Sequence, residues 1–163
     1  MLTATTTLQP VIEAFNLQTR LFLNVTKDIT EEHAKANFAG SPNHIAWITG
    51  HLVSTRYMLG AVLGMTDTEP FPELFVRGKG IQNVRYPSMD QLIAGWEAYA
   101  GKLIETLENL SEEDLQADPP IKTPIGDPTL RGFITFLAHH EAYHIGQLGL
   151  ARRYFGYEPM SYL

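Results

Sequence analysis

Cysteine is absent from the 163 residues. That excludes disulfides, thiolate metal sites and cysteine nucleophiles together. A metal, if any, must be held by His, Asp or Glu, and six His are available. No run of about 18 apolar residues occurs, so no membrane-spanning helix is expected. Dense Lys/Arg runs are also missing. The 12 Lys+Arg stand against 18 Asp+Glu, a formal charge of −6, the wrong sign for a phosphate backbone, and no nucleic-acid partner is expected. The opening residues, Met1 to Leu8, have no basic residue and no long apolar stretch, so no signal peptide is expected. Together these absences predict a soluble cytoplasmic protein that does not engage membranes, in keeping with a reducing compartment.

What is present is a globular composition, 44% hydrophobic and 18% charged. Its length predicts a single domain over residues 1–163 with one core. Gly and Pro concentrate in 60–87 and 119–132, with a smaller break at Gly40-Ser41-Pro42, and these read as connections. Four segments between them have helical periodicity. The first, about Leu8 to Ile29, repeats Leu8, Phe15, Phe22 and Ile29 every seventh residue, with Gln18 as a polar exception. The second, about Asn43 to Leu63, carries the row Ile45, Leu52, Leu59. The third, about Ser88 to Asn109, carries Met89, Trp96, Leu103, and opens on Ser88 and Gln91 at capping-box spacing. The fourth, about Thr129 to Phe155, ends before Gly156. The pattern predicts an all-α four-helix bundle with long connections. A short extended piece or hairpin is allowed within 64–87, around Phe75-Val76 and Ile81–Val84.

The fourth segment contains a conflict. Its apolar rows are interrupted by His140, Glu141, His144 and Gln147. Polar groups buried without partners cost about 1–3 kcal/mol each, so imidazoles on a core stripe call for a reason. His140 and His144 are four apart, on one face, and can chelate one ion. In the second segment His51 borders the apolar face. Three neutral imidazoles from two packed helices, His51, His140 and His144, make a metal site with positions left for water or substrate. His44, near a helix start, reads as capping or solvated. His33 lies in a polar segment that starts a short helix, and His139 points away from the His140/His144 face. Trp47, Trp96, Tyr57 and Tyr143 read as packing residues.

His140-Glu141-Ala142-Tyr143-His144 also matches H-E-x-x-H, the zinc-protease helix. Several features oppose a protease. The motif falls in the last helix. The longer metzincin pattern would need glycine and histidine where Gln147 and Leu150 stand. No sheet is predicted to hold a peptide substrate.

Two stretches together resemble the DinB-like superfamily: Asn43-His-Ile-Ala-Trp47-Ile-Thr-Gly50-His51-Leu52, and His140-Glu-Ala-Tyr143-His144-Ile-Gly146-Gln147 followed by Arg152-Arg153 and Gly156. The resemblance covers most of the chain, in order and spacing. It implies a DinB/YfiT-like four-helix bundle with a divalent metal, zinc or nickel, on His51, His140 and His144. It implies a homodimer. It also implies, from characterised relatives, transferases and isomerases that use low-molecular-weight thiols. Ile145 stands where many relatives carry Arg. The resulting expectation is a metal-dependent enzyme on a small-molecule substrate, a thiol transferase or hydrolase, with Glu141 as general base or as an orienter of a ligand imidazole, and Gln147 lining the cofactor pocket. The alternative is a non-catalytic metal-binding bundle.

Overall fold

The computed structural model describes residues 7–76, 78 and 80–162. The stretch 1–6, on which most of the signal-peptide reading rests, lies outside them. Four long helices carry the architecture: α1 (Gln9–Thr26), α3 (Ile45–Val62), α4 (Met89–Glu108) and α6 (Leu130–Tyr154). Two short ones, α2 (Glu31–Lys35) and α5 (Glu112–Leu115), sit in the connections. The all-α expectation holds, and each long helix falls within a segment read from periodicity.

Local chemistry explains the ends. Pro10 stands in the first turn of α1, where its missing N–H costs nothing. Ser88 and Gln91 form the capping box at the start of α4. Gly156, at φ +82°, follows α6 in the left-handed conformation that favours glycine. The extended piece allowed within 64–87 does not form. No strand occurs among the described residues, and Glu73, Gly78 and Gly80 all take positive φ, which breaks any extended run there.

Both α1 and α3 pack on α4 and α6, so α1 and α3 lie across a diagonal. Contacts fix the directions. Gln18 donates to the Ala138 carbonyl and Arg152 to that of Val25, so α1 and α6 run parallel. Gly95 faces Val53 and Gly60 faces Tyr99, so α3 and α4 also run parallel. His51 meets His140 and His144 while Arg56 meets Glu141, so α3 opposes α6. A parallel α3–α4 pair needs a connection that returns the length of α3. Residues 63–88 do this. Met65 accepts from the Tyr99 hydroxyl near Gly60, Phe75 covers Gly50, and Tyr86 packs edge-on against His44.

Helix α3 is therefore covered by α4, α6 and its own return strap. That is why its sequence is apolar almost all round rather than striped. Trp96 sits at the bundle centre, fully buried and stacked on Phe22 at 3.9 Å. Among the described residues no helix is long and apolar enough to cross a membrane.

Candidate metal centre

His51, His140 and His144 converge between α3 and α6, with one nitrogen of each within 4.8 Å of the others. The Nε2 of His140 lies 3.1 Å from that of His51 and 3.1 Å from that of His144. Three nitrogens on a tetrahedral zinc, at about 2.0–2.1 Å each, would stand about 3.3–3.4 Å apart. The observed separations are close to that.

Each outer imidazole is held from behind. His51 Nδ1 is 2.9 Å from the Phe75 carbonyl oxygen. A carbonyl only accepts, so Nδ1 carries the proton and Nε2 presents its lone pair. His144 Nδ1 is 2.7 Å from Gln147 Oε1, and the other end of that amide donates to the Tyr143 hydroxyl. The same logic leaves the His144 Nε2 lone pair facing inward. His140 Nε2 stands between two lone pairs and has at most one proton to offer. At least one of its two 3.1 Å contacts then has no proton between the nitrogens, an arrangement that a shared cation would relieve. The donor set therefore fits a metal ion. Burial, with the neighbouring His51 charge adding to it, pushes the His144 imidazole down to about 4 against the opposing Gln147 bond. It is a neutral imidazole at pH 7.

The local sequence builds this arrangement. The Trp47 ring, one turn before His51, stacks on the imidazole at 4.9 Å. Gly50 leaves room for the buried Phe75 ring, where a Cβ would overlap three of its atoms. Gly50→Ala is therefore expected to push Phe75 away and loosen its carbonyl from His51. Overpacking of this kind costs about 1–3 kcal/mol, and loss of a bond that orients a ligand typically costs about 10–100-fold in metal affinity. Titration with zinc against a competing chelator would measure it. Affinity within twofold of the wild type would show that the strap does not hold His51.

Glu141 points elsewhere. Its two oxygens accept from Arg56, at 2.6 Å from Nη2 and 2.9 Å from Nε, and both side chains are essentially fully buried. Burial raises the Glu141 carboxyl above its ordinary range, against the pull of Arg56. Arg56 also donates to Thr19 Oγ1 and the Phe15 carbonyl, and lies 3.5 Å over the Trp96 ring. Sequence reasoning overlooked Arg56. The available signal was a pair of opposite charges on core rows, Arg56 between Leu52 and Leu59, and Glu141 between Ile134 and Leu148.

The remaining candidates sort plainly. His44 caps α3, its Nδ1 accepting from the Trp47 N–H at 3.0 Å, and it is buried rather than solvated. His33 bonds the Tyr157 hydroxyl at 2.7 Å, and His139 is exposed. Tyr57 stacks on Tyr99 as a packing residue. Tyr143 does not pack in the core but is 57% exposed, since it lies on the outward side of the His140/His144 face. Ile145 is buried in the core.

The fold and the site define an all-helical protein with a three-His group able to hold a divalent metal. The chain belongs to the DinB superfamily, whose family model matches residues 14–148 and spans all three His and Gln147. No curated protein matches the sequence.

Proposed function

We propose that the protein is a metal-dependent enzyme acting on a small molecule, a thiol-dependent S-transferase or a hydrolase, with zinc or nickel on His51, His140 and His144. The observation that supports this reading best is the convergence of three imidazoles, two of them held from behind through Nδ1. No carboxylate belongs to the group among the described residues, so the charge of a bound dication would stay available to a substrate. Such an ion supplies Lewis acidity, lowering the pKa of a water or thiol that reaches it. The thiol would come from outside, because the chain has none.

The chain's own residues then have separate tasks. His51, His140 and His144 bind. The Phe75 carbonyl and Gln147 hold tautomer and ring direction. Glu141 acts as a positioning residue, tying α6 to α3 through Arg56 next to His140. Trp47 covers one face of His51 and limits water there.

Elemental analysis of protein purified without a His tag tests the reading, together with a conjugation assay on a panel of small thiols. One equivalent of zinc or nickel per chain, lost in His51→Ala along with activity, is the expected result. Stoichiometric metal with no turnover of any thiol or ester would favour the non-catalytic bundle. Protein that takes up no metal would overturn the site.

A further inference from the structure

A cavity of about 360 Å³ lies where the return strap meets α2 and the start of α3. This volume is within the range of small-molecule pockets. Lys35, Asn37, His44 and Arg85 bring polar groups to its wall, and Ile81 and Val84 bring apolar ones. Among the described residues no Asp or Glu lines it, in a chain whose formal charge is −6. His44 is seven residues before His51, so the cavity opens about 10 Å along α3 from the metal ligand.

Three observations point to an anionic ligand. Arg85 makes no ion pair among the described residues, although Lys35 is matched by Glu31 at 2.8 Å. His44 is 4% exposed and its Nδ1 is used by the Trp47 N–H. Burial holds its imidazole below the ordinary range, so it is neutral and its proton is on Nε2. That N–H is the donor left for the cavity it lines. The 18-residue helix α3 also begins here, and its N-terminal dipole favours negative charge. The apolar wall is unusual for a bare ion site: Ile81 and Val84 are 38% and 47% exposed.

We propose that this cavity binds a small organic oxyanion, a carboxylate or phosphate on a short apolar body, with Arg85 and His44 taking the head group and Ile81 and Val84 the chain. Lys35 adds less, because Glu31 already neutralises it. The site is separate from the metal centre and does not depend on its chemistry.

Calorimetric titration of the metal-loaded full chain with hexanoate and with hexyl phosphate tests this. One saturable site per chain is expected, weakened at least tenfold by Arg85→Gln and weakened by added salt. Arg85 is on the surface, so that variant folds as the wild type does. The tighter probe identifies the head group. His51→Ala, which removes a metal ligand, should bind the same probe unchanged. Absence of saturation with both probes, or equal binding by Arg85→Gln, would overturn the proposal. So would loss of binding in His51→Ala, which would place the anion on the metal instead.

Discussion

Glu141→Ala is expected to destabilise the metal-free protein by about 3–5 kcal/mol, because it leaves the buried Arg56 guanidinium without its counter-charge. For a chain of this size that is a fall in Tm of roughly 10 °C. The deleted carboxylate makes both of its bonds to Arg56, in surroundings that admit almost no water. The cation–π contact with Trp96 and the bonds to Thr19 and Phe15 remain. They do not neutralise a charge. Replacing both partners with apolar residues removes the problem rather than half of it. Arg56→Met with Glu141→Leu should therefore recover most of the loss, since the Thr19 hydroxyl keeps its bond to the Phe15 carbonyl. Thermal denaturation of the two single variants and the double variant gives the cycle. Additive losses, with the double variant the least stable of the three, would show that the pair is not the unit of stability.

The contrast between α1 and α3 shows what was legible in the sequence. In α1 one face is buried, so Ile12, Phe15, Phe22 and Val25, with Leu8 at the N-cap, stand out against polar neighbours. Even the polar exception made sense, since Gln18 donates across to the Ala138 carbonyl on α6. In α3 nearly every side chain is covered, so periodicity says little about which neighbour each one meets, and Arg56 passed as one polar residue among many. Of the three clustered His, His140 and His144 were legible for the opposite reason: they interrupt apolar rows where Leu or Phe is expected, and His51 borders such a face. The strap over α3 was not. Its main contribution is the Phe75 carbonyl, and a backbone oxygen has no sequence signature. Gly50 was visible only as a motif letter, and its cause is the ring packed against it. The return path of 63–88 follows from the parallel α3–α4 pairing, which local patterns do not encode.

His140→Ala, one residue from Glu141, should have nearly the reverse profile. Metal affinity is expected to fall at least a hundredfold, about 2.7 kcal/mol, because His140 is the nitrogen that stands 3.1 Å from both of its neighbours. Metal-free stability should change by no more than about 1 kcal/mol. The side chain is only half-buried, so little apolar contact is lost, and its removal relieves the crowding of lone pairs at the centre. The wild-type Tm should rise with added zinc by linkage, about 2.7 kcal/mol of stabilisation at a hundredfold excess over Kd. The variant should show almost no rise at the same concentration. Paired melts of both variants, with zinc and with chelator, separate the two roles: residue 141 holds α6 to α3, and residue 140 holds the ion. If His140→Ala loses as much stability in chelator as Glu141→Ala does, the imidazoles are structural members of the core, and the case for a metal centre at this position fails.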